Sequence, residues 1–303
     1  MSAQPRSGIR SAYSAQRRSC ACVEELIAGQ AVLALLRELA AWPKPGLVSP
    51  VDSGSHTDMD ATMMQASAEA LRPFFAELAR AGHDRDGMDR LKAIGLRAEA
   101  AMLAVTGGVN THRGAIFGLG LLCAAAGEVA TTSKEGVAVA PVRLGEVVMR
   151  RWGAAIARGP VPLSSHGVAA LRRYGAGGAR AEATSGFRSV YEVGWPALRR
   201  GRALKPDDPD AAPVQACFAL IAAVCDTNLL HRGGIDGMRY ASEAASSFLS
   251  RGGVGAPDWR AQAAGVHAAF VARRLSPGGC ADLLAMTLLV DSLESRVARD
   301  GDA

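Results

Sequence analysis

Aromatic residues are scarce in this 303-residue chain: Phe, Trp and Tyr together make up 5% of it. Nothing is therefore available to interleave with basic residues into a base-stacking stripe, and no nucleic-acid-binding motif is present. No apolar run reaches the roughly 18 residues that a membrane span needs. The longest, Gly114 to Gly127, is punctuated by glycine. The N-terminal arginines precede no apolar stretch, so no secretory leader is read and a cytoplasmic location is expected. Sustained apolar–polar alternation of β-branched residues is missing, and so are hairpin turns, which excludes strands. The six cysteines are scattered, mostly in apolar surroundings, and only Cys20 and Cys22 lie close together. That excludes a disulfide frame or a zinc site and fits reduced thiols.

Acidic residues are absent from residues 1–23, which carry Arg6, Arg10, Arg17 and Arg18. Those four arginines account for most of the formal charge of +5, so the rest of the chain is close to neutral. With little to bury, residues 1–21 are expected to be a disordered basic arm. A second basic stretch, Pro141 to Lys205, contains Arg150, Arg151, Arg172, Arg173, Arg199, Arg200 and Arg202. It suits anionic small molecules or an acidic protein partner better than nucleic acid.

What the chain does have is helix. Hydrophobic residues make up 49% of it, and they recur at helical spacing, as in Val23, Leu26, Ile27, Val32, Leu35, Leu36 and Leu39. The expectation is one all-α domain of about ten helices over residues 22–303. The helices are interrupted most sharply at Trp42 to Asp60, which holds three prolines and two glycines and so cannot be helical. Helix-to-helix connections usually need only a few residues. One this long, carrying Lys44, Asp52, His56, Asp58 and Asp60, reads as a site more than as a linker.

Further ionisable residues cluster at expected helix ends. Glu38, in the last turn before the loop, opposes the helix dipole and needs a cation, for which Lys44 is at hand. Helix is expected again after His56 as far as Ala81, with Asp58 in its first turn and His56 and Asp60 sharing a face. Asn110 or Thr111 can cap a helix whose first turn holds His112 and Arg113, beside unpaired amides that favour an anion. A long apolar helix from Ala211 is expected to end at Asp226, against the negative end of its dipole, where a carboxylate needs Arg232, a lysine or a metal ion. The last helix opens Ser276-Pro-Gly-Gly-Cys-Ala-Asp282, leaving backbone amides open.

These stretches resemble a known family. Glu38 with Pro43-Lys-Pro-Gly-Leu-Val and Gly54-Ser-His-Thr-Asp-Met is similar to the opening signature of the triphosphoribosyl-dephospho-CoA synthases. So are Val109-Asn-Thr-His-Arg-Gly-Ala-Ile-Phe-Gly with Thr106, Asp226-Thr-Asn with Arg232-Gly-Gly, and Pro277-Gly-Gly-Cys-Ala-Asp. Arg113 stands where lysine is common, Cys280 where serine is usual, and Ala181 interrupts an Arg-Gly-Glu between Arg180 and Glu182. The stretch from Gly46 to Asp60 looks more like the malonate-decarboxylase branch than the citrate-lyase branch.

The resemblance implies that the triphosphoribosyl group of ATP is moved to the 2′-hydroxyl of 3′-dephospho-CoA with loss of adenine. The product would be the prosthetic-group precursor of an acyl-carrier subunit. That subunit, or the holo-acyl-carrier-protein transferase, would be the protein partner, with homodimerisation left open. On this reading Lys44, Arg113 and Arg232 clamp phosphates, and Asp58 and Asp60 hold Mg²⁺. Glu38, His56 and Asp226 serve catalysis, while Asn110, Thr111, His112, Asn228, His231, Gly233, Gly278 and Gly279 contact substrate. Two rival readings are a metal-dependent ADP-ribosyl-type hydrolase and a non-catalytic helical scaffold for an acidic carrier protein.

Overall fold

A computed structural model describes residues 7–133, 142–159 and 177–300. Among them every regular element is helical and no strand occurs. The chain forms α1 (Ser7–Ala40), α2 (Ala61–Ala70), α3 (Arg72–His83), α4 (Met88–Val105), α5 (Arg113–Ser133) and α6 (Leu144–Arg158). It continues with α7 (Gly178–Thr184), a π-turn (Val190–Gly194), α8 (Trp195–Leu204), α9 (Ala211–Ala223) and α10 (Thr227–Ser250). A 3₁₀ turn (Gly253–Gly255), α11 (Trp259–Ala272) and α12 (Gly278–Asp300) complete it.

The apolar α5 is the centre, packed by α1, α3, α6 and α12. By length and composition its window Arg113–Thr131 would pass for a membrane span, yet 72% of that window is buried inside the fold. A helix that is apolar all round requires such burial. α3 and α5 cross closely because two glycines remove side chains at the contact. A Cβ on Gly82 would lie 1.8 Å from the Ala124 carbonyl oxygen, and one on Gly127 would lie 1.9 Å from that of Ala79.

Several expected boundaries move. Helical backbone reaches back to Ser7, through residues whose composition read as a disordered arm, while residues 1–6 lie outside the described residues. The helix expected from His56 to Ala81 is two, with a break at Leu71 where Pro73 opens α3. Helix starts only at Ala61, so Asp58 stays in the loop instead of the first turn, and His56 and Asp60 share no helical face; Asp60 is the N-cap, accepting the Met63 amide at 2.8 Å. The expected loop over residues 128–141 is helical to Ser133, with residues 134–141 outside the described ones, as are residues 160–176 of the basic stretch. α10 was not expected as a helix; glycines at 233, 234 and 237 interrupt its first half, and Gly234 kinks it with φ 63°.

Candidate functional site

The first half of the loop from Trp42 to Asp60 runs inside the fold, and its second half returns to the surface. Residues 43–49 are buried, with Leu47 in the main core. Gly46, at φ +65°, makes this possible: a Cβ there would sit 2.1 Å from the Leu275 carbonyl oxygen. The Ser55 amide donates to the Gly46 carbonyl at 3.0 Å, closing the loop on itself, and the Ser55 hydroxyl donates to the Leu275 carbonyl at 2.6 Å. The loop thereby carries Lys44 inward. Its ammonium is sealed off at 1% residue exposure and donates to both the carboxylate and the carbonyl oxygen of Glu38 at 2.5 Å. Lys44 is indeed the partner that Glu38 needs at the end of α1.

His267 of α11 fixes the loop from the other side. Its Nδ1 lies 2.6 Å from the Lys44 carbonyl oxygen, and its Nε2 lies 3.1 Å from Asp52. Since a carbonyl only accepts, Nδ1 is the donor. Sequence reasoning missed His267, for it sits mid-helix with no motif around it.

Asp226 is not where the apolar helix suggested. α9 ends at Ala223, and Asp226 is the N-cap of α10. Its Oδ1 accepts the amides of Asn228 and Leu229 at 2.7 and 3.2 Å, and its Oδ2 accepts the Cys280 amide of α12 at 2.8 Å. The carboxylate thus faces the positive ends of two helices, which removes the need for a cation that a C-terminal position would impose. Burial still raises its pKa, with these amides pulling the other way. Nearby, half-buried Asp282 points from the first turn of α12 at the start of α5: a Cβ on Gly114 would lie 2.1 Å from its Oδ2, and it accepts the Ala115 amide. Burial first, then the charges of Asp226 and Glu38, push the Asp282 carboxyl well up from its ordinary value.

Above these buried groups sits a more open set. Arg232, exposed on the first turns of α10, donates to the carbonyls of Ser55 and Arg274 at 3.1 and 3.2 Å and lies 3.3 Å from His56 Nδ1. His56 Nε2 is 2.9 Å from the Ser276 hydroxyl, and Asp58 is 3.5 Å from Nδ1. Burial, then Arg232, lowers the His56 pKa against the upward pull of Asp58.

At the mouth of α5, Asn110 accepts the Arg113 amide at 3.1 Å and caps the helix, while Arg113 pairs with Glu99. His112 is buried instead, with Nδ1 2.7 Å from the Ser67 hydroxyl, which in turn is 2.7 Å from Thr111. Burial drops its pKa to about 4.

Four stretches far apart in sequence therefore meet: Gly46 and His56 reach Leu275 and Ser276, Arg232 reaches Ser55, Asp226 reaches Cys280, and Gly114 reaches Asp282. Asn228 joins them, since a Cβ on Gly278 would meet its amide nitrogen at 2.8 Å. The family model for ATP:dephospho-CoA triphosphoribosyl transferase, CitG, matches residues 24–300. The chain belongs to that family. It is 41% identical over 276 residues, covering 89% of this chain and 92% of the other, to the "Probable 2-(5''-triphosphoribosyl)-3'-dephosphocoenzyme-A synthase" of Azotobacter vinelandii. It is 37% identical over 266 residues, 85% of each chain, to the "2-(5''-triphosphoribosyl)-3'-dephosphocoenzyme-A synthase" of Pectobacterium atrosepticum. No solved structure matches it significantly.

Within this transferase frame, the structure brings Glu38, Lys44, Asp226, Asn228, Gly278 and Gly279 into one buried-to-half-buried group, and His56, Asp58 and Arg232 into the open one. His231 is exposed and Gly233 half-buried, both on α10 before its kink. Asp60 stands apart as the α2 cap. No group of three His, Cys, Asp or Glu residues is arranged to hold a metal by itself among the described residues. Asp52, Asp282 and His267 were not among the assigned site residues. Asp282 was readable only as part of its motif, since its burial depends on Gly114 from another helix. A depression of about 360 Å³ bounded by Lys205, Pro206, Asp208 and Arg260 holds none of these motifs. There Arg260 is already paired with Asp208 and Asp210 at 2.5 and 2.9 Å.

Proposed function

We propose that the chain transfers the triphosphoribosyl group of ATP to the 2′-hydroxyl of 3′-dephospho-CoA, releasing adenine. The convergence of the four motifs on one site, within a chain matched to the transferase family over residues 24–300, is what supports this reading. Exposed Arg232 and Arg113 suit the triphosphate and the pyrophosphate of the acceptor, as charge-assisted donors do. Gly233, Gly278 and Gly279 let Leu275, Asn228 and Asp226 pack against the backbone, and Asn110, Thr111, Asn228 and His231 are the candidate substrate contacts, with His112 buried behind them. Lys44, sealed inside, acts by fixing Glu38 rather than by touching phosphate.

The C1′–N9 bond of ATP breaks with oxocarbenium character, so carboxylates beneath the ribose stabilise the transition state. Glu38 and Asp226 are the candidates. His56, at the mouth beside Ser276, is the candidate to receive the 2′-hydroxyl proton. Mg²⁺ bound with ATP would screen the triphosphate, and it typically uses one or two carboxylates plus phosphate oxygens. Asp58 and Asp60 fit that donor set: Asp58 is 59% exposed at its side chain, and the Asp60 cap uses one oxygen only.

The likeness of Gly46 to Asp60 to the malonate-decarboxylase branch favours an acyl-carrier subunit of that enzyme as the final acceptor, with citrate lyase as the second reading. The test is direct. Protein, ATP, Mg²⁺ and dephospho-CoA should yield adenine and a coenzyme heavier by one triphosphoribosyl group. Adenine released equally well without dephospho-CoA would instead support the hydrolase reading.

A further inference from the structure

Three carboxylates, Glu38, Asp226 and Asp282, share the floor of the site close enough to feel one another's charge. They are not equivalent. Glu38 is held by the Lys44 ammonium at 2.5 Å. Asp226 is saturated by the amides of Asn228, Leu229 and Cys280. Among the described residues Asp282 accepts a single amide, that of Ala115, and no cation pairs with it. It is half-buried, whereas the other two are buried. Asp282 is thus the floor residue that keeps spare hydrogen-bonding capacity and is not sealed from solvent as the other two are.

Resting on the transferase reading of this site, we propose that Asp282 is the general acid that protonates adenine as it leaves. The groups facing it decide its protonation. Glu38 faces it from the end of α1 and Asp226 from the turn before α10, both acidic. From α12 itself comes Cys280, whose thiol burial and Asp226 keep protonated. From α5 comes one amide. Lys44 is spent on Glu38. Two carboxylate neighbours and burial therefore favour the protonated form of Asp282.

The step balances as follows. The C1′–N9 bond of ATP breaks with its electron pair going to adenine, whose ring nitrogen takes the Asp282 proton. The dephospho-CoA 2′-oxygen bonds to C1′ of that ribose, and its proton passes to the base at the mouth. Solvent then returns a proton to Asp282 and removes one from the base.

Asp282→Asn keeps the shape and cannot donate that proton. Its kcat with ATP should fall by at least about 10²-fold, the lower range for a positioned acid, with little change in melting temperature. Nicotinamide riboside 5′-triphosphate serves as the second donor, because nicotinamide departs neutral without protonation. With it, variant and wild type should differ by less than about 5-fold. In the wild type, activity with ATP should fall as pH rises through the Asp282 pKa, and that alkaline limb should be absent with the nicotinamide donor. Equal losses on both donors, or adenine release by the variant near the wild-type rate, would overturn the proposal. If the variant does not fold, identical alkaline limbs for the two donors in the wild type overturn it. Wild-type protein that consumes ATP and dephospho-CoA while failing these outcomes removes Asp282 alone; absence of that basal reaction removes the transferase reading as well.

Discussion

The floor and the mouth of the site use the same residue types to opposite ends. On the floor, Glu38, Lys44 and Asp226 are each at most 4% exposed, and every charge has a fixed partner. At the mouth, Arg232 and Asp58 are exposed, and Arg232 spends its guanidinium on two carbonyls and a neutral imidazole. Exposed pairs contribute about 0–1 kcal/mol to stability, whereas a buried charge deprived of its partner costs several. The contrast teaches where to look for what: substitutions of the sealed floor residues Glu38, Lys44 and Asp226 should be read first in stability, mouth substitutions in catalysis.

The largest expected effect is on the floor. Lys44→Ala leaves the Glu38 carboxylate buried without its cation, which should cost about 3–5 kcal/mol in denaturant unfolding. That is a large share of a typical domain's total of about 5–15 kcal/mol. Adding Glu38→Gln to Lys44→Met should recover most of the loss, because no lone charge then remains. A single-variant loss below about 1 kcal/mol would show that water reaches the pair, and the distinction between floor and mouth would fail.

A smaller effect comes from His112, a buried group that stays neutral instead of paired. In the fold it protonates only near pH 4, against an ordinary value near 6.5 in the unfolded chain. Between those values the unfolded state binds more protons. Stability from this residue is therefore complete above the unfolded value and declines as pH falls towards the folded one, by at most about 1.4 kcal/mol per pH unit. His112→Gln should flatten the acid side of a stability-against-pH curve. An unchanged slope would mean that His112 is hydrated.

How much of this was legible in the sequence follows the same division. Helical periodicity and the absence of strand patterns pointed to an all-α chain, as found among the described residues, and the proline-rich interruption marked the loop. The pairing of Glu38 with Lys44 was readable because both lie within one turn-and-loop segment. Asp226 was misread for a local reason: Val224 and Cys225 continue the apolar run, so the end of α9 at Ala223 is hidden, and the cap belongs to the next helix. His267 and Asp282 act through partners more than a hundred residues away, Lys44 and Ala115, and no local spacing encodes such contacts. Lys44 looked like an exposed phosphate clamp because a proline-rich loop normally runs over the surface; Gly46, packed against Leu275, draws it inside.

The smallest effect on stability, and the one that best tests the mouth, is expected from Asp58→Asn. Asp58 is 59% exposed at its side chain, and its recorded contact is 3.5 Å to His56, so removing its charge should change unfolding free energy by less than about 0.5 kcal/mol. If it is one of the carboxylates that hold Mg²⁺ with the triphosphate, the amide, a weaker ligand for a hard cation, should raise the Mg²⁺ concentration needed for half-maximal adenine release. The rate at saturating Mg²⁺ should largely recover, since the phosphates still carry the ion. Asp60→Asn should give a similar metal shift and leave the α2 cap nearly intact, since Asn caps a helix about as well as Asp, whereas Asp60→Ala should also cost about 0.5–2 kcal/mol. A Mg²⁺ titration of both variants beside their melting curves separates the two contributions. If Asp58→Asn leaves the Mg²⁺ requirement unchanged, Asp58 does no more than offset the charge of Arg232, and the metal's carboxylates must be sought on the floor.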